Sequence, residues 1–181
     1  MIISAPLLFK DMDIQEVYDV IHAISEGFEE NVLMCLDNHS GNVVIAISDQ
    51  LYSGINGDDN YLSPTYDDDP YFDLEGPWQN NSKGYKAWKM GITPPVVSSI
   101  LGLNPRPDNV PNLFITGKFH SEINAKRAGD MLLVDPGHND GPSIVSKYGE
   151  EILELSSRGV DYFNTEFLIP SIEQFYRNCG Y

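Results

Sequence analysis

Between residues 54 and 111 the hydrophobic periodicity that builds helices and strands is lost twice, and this limits the chain more than any motif it carries. The first tract, 54–81, is dense in Gly, Asn, Asp and Pro, yet it holds Tyr61, Tyr66, Tyr71, Phe72 and Trp78. A flexible linker would lack those rings. The second tract, 92–111, contains five prolines. Two unpatterned stretches of this length in one domain point to function or to contacts between molecules. The first reads as an extended loop or arm whose rings dock on a surface, the chain's own or a neighbour's, and the second as another irregular, extended arm. Between them, residues 82–89 suggest a short basic helix, stopped by Gly91 and by Pro94-Pro95.

Regular structure is expected on either side. Ile14, Val17, Val20, Ile21, Ile24 and Phe28 recur at helical spacing, which predicts an amphipathic helix over 13–36 with Asp11 or Asp13 as its N-cap. The run from Asp37 through Asn42 breaks it. Val43-Val44-Ile45-Ala46-Ile47 is β-branched and reads as a short strand, with a buried helical turn as the alternative. Further on, 118–127 and 131–135 flank Ala128-Gly129-Asp130, the chemistry of a turn between antiparallel strands. Pro142 opens a helix to about Leu155, and 160–177 forms the last helix, which Pro170 either kinks or delays. The expected architecture is α+β. A small antiparallel sheet packs with helices, and two long Pro/Asp-rich arms extend from it. At 181 residues this is one domain, with an N-terminal helix at 13–36, an arm region at 54–111 and a sheet-and-helix part at 112–178.

Charge is divided along the chain. Residues 1–82 carry sixteen Asp and Glu against Lys10 alone, a formal −15. Residues 83–127 carry seven Lys or Arg against Asp108 and Glu122, a formal +5, and the rest returns to −6 within a total of −16. Such a molecule opposes the counterion release that duplex binding requires, so direct nucleic-acid binding is not expected. No run reaches the roughly 18–20 apolar residues of a membrane span. The apolar start of the chain lacks the basic region of a signal peptide. Cys35 and Cys179 lie far apart with no zinc or redox spacing, and read as two thiols in a reducing compartment, with a disulfide as the alternative.

The site signals are weak. Asn56, Asp58, Asn60 and Asp67 imitate a calcium loop, but Tyr61 stands where the sharp glycine turn belongs and Asp67 where a bidentate Glu belongs. Asp67-Asp68-Asp69 is otherwise a solvated acidic turn that would welcome Lys or Arg. His120 with Glu122, on one face of the expected strand, and His138 with Asp140 have no diagnostic metal spacing. Neither cysteine has a base beside it in sequence, and no nucleophile elbow, phosphate loop or dinucleotide fingerprint is present. An enzyme is not expected, and no cofactor is implied.

Two tracts carry a resemblance. One runs from Gln50-Leu51-Tyr52-Ser53-Gly54 through Asp58, Leu62-Ser63-Pro64, Tyr66 and Asp69-Pro70-Tyr71-Phe72 to Trp88-Lys89 and Ile92-Thr93-Pro94. The other runs from Pro111 through Thr116-Gly117-Lys118-Phe119-His120-Ser121 to Lys147-Tyr148-Gly149. Together they resemble a group of small uncharacterised proteins encoded by tailed phages of Bacteroides-type gut bacteria. More distantly, the order Thr116-Gly117, Phe119, Ser121, hairpin, Tyr148-Gly149 and Phe167-Leu168-Ile169-Pro170 is similar to tail-completion (minor tail or neck) proteins. The proline-rich 92–111 and the acidity depart from that second pattern and leave the layer of the neck open.

The resemblance implies a structural virion protein, made in the host cytoplasm. It would form a ring of twelve-fold or six-fold symmetry between portal and tail, touching itself and other portal, neck and tail proteins, with no membrane. The rival readings are a metal-dependent hydrolase using the acidic 56–69 loop and a soluble acidic interaction or inhibitor protein. In a ring, Lys83, Lys86, Lys89 and Arg106 would face Asp67, Asp68, Asp69 and Asp73 of a neighbour, with Tyr66, Tyr71, Phe72, Trp78 and Trp88 supplying buried area. The same acidic tract and basic helix, close in sequence, can instead pair within one chain. The resemblance favours pairing between chains.

Overall fold

The computed structural model describes residues 12–137 and 139–181, so Asp11 and His138 lie outside the described residues. Helix α1 spans Ile14–Asn38. It starts where two orphan amides are satisfied reciprocally: the Asp13 carboxylate accepts from the Glu16 amide at 2.9 Å, and the Glu16 carboxylate accepts from the Asp13 amide at 2.8 Å. His39 breaks the helix, and α2 follows at Ser40–Tyr52. The β-branched run 43–47 is thus helical, and the strand reading is corrected. Val43, Ile47 and Leu51 recur four apart on one buried side, and packing of that side overrides local preference.

Neither unpatterned tract stands off as an extended arm. Gly54 turns the chain with φ +67°, where a Cβ would lie 2.4 Å from the Val110 side chain. Ile55 then bridges Tyr61, and the Leu62 amide donates to the Gly54 carbonyl at 2.8 Å. Leu62, Tyr66 and Phe72 are buried, the last in a short 3-10 helix, Pro70–Asp73. Helix α3, Ser82–Ile92, is capped by Asn81, whose side chain accepts from the Gly84 amide. The tract after it buries Leu101, Leu103 and Val110. Its turn is held by Asp49 of α2, whose carboxylate accepts from the amides of Ser99, Ile100 and Leu101 at 3.1, 3.1 and 2.8 Å. Buried Leu62, Tyr66 and Phe72 in the first tract, and buried Leu101, Leu103 and Val110 with the Asp49 bonds in the second, fold both onto the body, so the rings of the first dock on the chain's own surface.

The sheet is a two-stranded antiparallel hairpin, β1 Asn124–Ala128 and β2 Met131–Asp135, with Lys126 opposite Leu133. Its turn is Gly129-Asp130, as the sequence predicts, with Gly129 at φ +67°. Residues 118–122, expected as strand, form a one-turn helix, α4 (Lys118–Glu122), entered through Gly117 at φ +82°. That turn sends Phe119 and His120 inward and leaves Glu122 exposed. Helix α5, Gly141–Tyr148, ends well before Leu155 because Gly149 takes φ +92°; a 3-10 helix, Glu150–Leu153, follows.

The C-terminal helical stretch comprises α6 (Ser157–Phe163), a π-turn (Asn164–Leu168) and α7 (Ile169–Asn178). Pro170 sits directly after the π-turn, in a stretch that stays helical on both sides of it. Helix α7 runs antiparallel to α1, with the Phe28 ring 6.4 Å from Phe175 and 6.3 Å from Tyr176. The main core gathers Cys35, Val43, Ile47, Leu51, Leu62, Val110, Phe119, Ile123, Ile152 and Phe163. Each fully buried aliphatic chain there contributes about 1.5–3 kcal/mol. The fold is mostly helical with one small antiparallel sheet. Cys35 and Cys179 are free thiols.

Candidate functional site

Tyr66, Phe72 and Trp78 of the first tract converge on one ring of α3, while Tyr61 stays exposed. Tyr85 lies 5.1 Å from Tyr66, 5.4 Å from Phe72, 5.4 Å from Trp78 and 5.3 Å from Trp88, centroid to centroid. Such spacings are those of favourable edge-to-face and tilted pairs. Tyr85 was not among the expected contact residues, although its place in α3, three before Trp88, is the signal that could have found it. The cluster borders two cavities, of about 660 and 290 Å³, that share Tyr66, Tyr85, Ile115 and Tyr148. Phe114, Pro111, Leu113 and Ile144 add apolar wall to the larger one, and Lys118 and Asp140 add one charge of each sign. Burial pushes the Tyr85 hydroxyl up to about 12, and those of Tyr66 and Tyr148 further.

Of the charged residues expected at an interface, Asp67, Asp68, Asp69, Lys86, Lys89 and Arg106 have partners within the chain. Lys86 donates to the Asp67 carboxylate at 2.6 Å, and Asn109 adds a bond at 3.0 Å. The Lys86 bond, with the Asn109 bond behind it, holds the Asp67 carboxyl below its usual range. Asp68 accepts from the Thr65 hydroxyl at 2.8 Å. Asp69 is buried, accepting from the Tyr71 amide at 3.0 Å and from Lys147 of α5 at 2.5 Å. Acidic tract and basic helix therefore meet in one chain at Asp67 and Lys86. Tyr66, Asp69, Phe72, Lys89 and Arg106 are buried and make their contacts inside it. Asp67, Asp68, Tyr71, Asp73, Lys83 and Trp88 remain exposed, and Trp78 and Lys86 half-buried.

Lys89 is the most unusual of these. Only 1% of it reaches solvent, and its ammonium donates to the Asn112 side-chain oxygen at 2.9 Å and to the Phe114 carbonyl. Both acceptors are neutral; among the described residues no carboxylate is bonded to it. Desolvation, reinforced by the Arg106 charge, lowers its proton affinity to about 8. Arg106 is likewise buried on carbonyls, donating to Val110 at 2.9 Å and Thr93 at 2.8 Å. On the far side of Asn112, its backbone carbonyl accepts from Nε2 of His120 at 2.9 Å. Burial first, and the Lys89 charge with it, drives that imidazole down to about 4, so it is neutral at pH 7. Its Nδ1 is buried without a partner.

The acidic 56–69 loop uses its oxygens on protein donors, near and remote in sequence. The Asn56 side chain accepts from the Asn60 amide at 2.9 Å, and the Asp59 carboxylate caps α6 through the Ser157 amide at 3.2 Å. Among the described residues no group of three His, Cys, Asp or Glu is placed to hold a metal ion. His120 and Glu122 do not share a face, because α4 is helical. No described helix is long and apolar enough to cross a membrane. No family model, no curated protein and no solved structure matches the chain.

Proposed function

We propose that this chain is a structural component of a tailed-phage particle. It would sit in the neck or tail-completion layer between portal and tail, assembled as a ring with copies of itself and in contact with portal, neck and tail proteins. The phage assignment rests on the resemblance of residues 50–94 and 111–149. The assembly role is carried by one observation: α1 turns an apolar stripe to solvent. Ile14, Tyr18 and Ile21, spaced four and three apart, are 90%, 60% and 57% exposed, while another side of the same helix packs on α7.

The partner proposed for that stripe is a second copy. Helix α1 carries Glu16, Asp19, Glu26, Glu29, Glu30 and Asp37 with no Lys or Arg, so a like copy of the same face would repel it. The outward face of α3, with Lys83, Ala87 and Met90, is basic and apolar. Pairing α1 of one chain with α3 of the next is heterologous, the type of contact that closes rings. It keeps Lys83 as an intermolecular group and leaves the inward bases in place. The role needs neither catalysis nor nucleic-acid binding.

Particles purified from a producing culture should contain the chain in several copies, with antibody label at the head–tail junction. Ile21→Glu should fold, by an unchanged circular dichroism spectrum, and be missing from particles. Particles without the chain would overturn the phage placement, and normal incorporation of Ile21→Glu would overturn the α1 contact.

A further inference from the structure

We infer that the larger cavity beside Lys89 binds a small aromatic carboxylate, the anion that this buried ammonium lacks. The inference is independent of the assembly reading and rests on three features of the cavity. First, an ammonium has three donors, and Lys89 engages two of them, on the Asn112 side chain and the Phe114 carbonyl. Removing an ammonium from water without a counter-charge is costly, and Arg106 nearby adds a second buried cation rather than relief. Second, Lys89 lines a cavity of about 660 Å³, within the range of small-ligand sites. Third, the walls are flat and apolar: Tyr66, Tyr85, Tyr148, Phe114 and Ile144. An aromatic body fits such walls, and the tyrosine hydroxyls, kept protonated by burial, remain able to donate.

The chemistry selects among anions. A single ammonium offers a point charge and no bidentate fork, and a tetrahedral dianion would need more than one cation at hand. Arg106 has its guanidinium on carbonyls and is not in the cavity wall. Lys118 and Asp140 also line the cavity and offset each other in sign. A monoanionic carboxylate meets these conditions best.

The test is calorimetric titration at about pH 8 with 4-hydroxyphenylacetate, its neutral amide and inorganic phosphate. The carboxylate should saturate the protein at millimolar concentration or below, with the amide at least about tenfold weaker and phosphate giving no saturable heat. At that pH Lys89 is about half protonated, so carboxylate binding should draw in up to about half a proton. This appears as a dependence of the measured heat on the ionisation enthalpy of the buffer. Neither His120, which deprotonates at about 4, nor the buried tyrosines, which lose their protons well above this pH, contributes to that uptake. Lys89→Met should abolish the preference for carboxylate over amide. If that variant fails to fold, proton uptake by the wild-type protein decides the matter. Equal binding of acid and amide, binding without proton uptake, or no saturable heat to about 20 mM would each overturn the proposal.

Discussion

Burying Lys89 without a counter-charge should make the protein more stable in mild alkali, opposite to the usual behaviour of a paired lysine. A lysine ordinarily loses its proton at 10.5; this one does so at about 8. Below pH 8 folded and unfolded chains both carry the proton, and the penalty of burying the charge is present in full. Between about 8 and 10.5 the unfolded chain holds a proton that the folded chain does not, so stability rises with pH. At about 1.4 kcal/mol per pH unit the whole window is worth about 3 kcal/mol, of which about 2 accrues by pH 9.5.

Stopping at pH 9.5 matters because burial raises the Tyr66, Tyr85 and Tyr148 hydroxyls. Once unfolded tyrosines ionise near pH 10, stability falls again. The Cys35 thiol, also raised by burial, opposes the gain from about pH 9. The experiment is therefore a difference: urea unfolding of wild type and Lys89→Met between pH 7.5 and 9.5. Tyrosines and cysteine cancel, and the wild type should gain about 2 kcal/mol over the variant. At pH 7.5 the variant loses a buried charge but orphans the Phe114 carbonyl, at about 1–3 kcal/mol, while the Asn112 side-chain oxygen keeps the Phe114 amide at 3.3 Å, so the pH slope is the diagnostic. Parallel slopes would refute the buried, unpaired ammonium.

Asp49→Ala should cost about 2–4 kcal/mol, because three backbone amides of the 99–101 turn lose a charged acceptor. Hydrogen exchange at Ser99, Ile100 and Leu101 should accelerate, and unchanged exchange would show the turn to be held otherwise. Lys86→Ala, by contrast, should cost under about 1 kcal/mol in a urea melt, since its partner Asp67 is exposed. A loss above about 2 kcal/mol would mean that this bridge pins the first tract.

How much of this was readable in advance follows from what each segment relies on. The start of α1 was legible because Asp13 and Glu16 form a local capping box, and the hairpin because Gly129-Asp130 carries its own turn chemistry. The helical state of 43–47 was one of two open readings. It is decided by Ile47 and Leu51 meeting a core built from residues as distant as Phe163. The 54–111 region showed no period because its anchors, Leu62, Tyr66, Phe72, Leu101, Leu103 and Val110, are spaced irregularly. Partners remote in sequence hold them: the Tyr66 amide donates to the Asn109 carbonyl, and Asp49 binds the 99–101 turn. Counting charges treated every basic residue as surface, which Lys89 and Arg106 are not. Tyr85 carries one local mark, its place three residues before Trp88 in α3, but the rings it gathers from 66–78 are remote in sequence.

The π-turn at Asn164–Leu168 has a geometric consequence for the whole molecule. One inserted residue advances a helix by about 100° around its axis. Phe163 before it is thereby indexed toward the central core, while Phe175 and Tyr176 after it are indexed toward α1. A single rod thus carries two angular settings, one face turned to the central core and the next turned to α1.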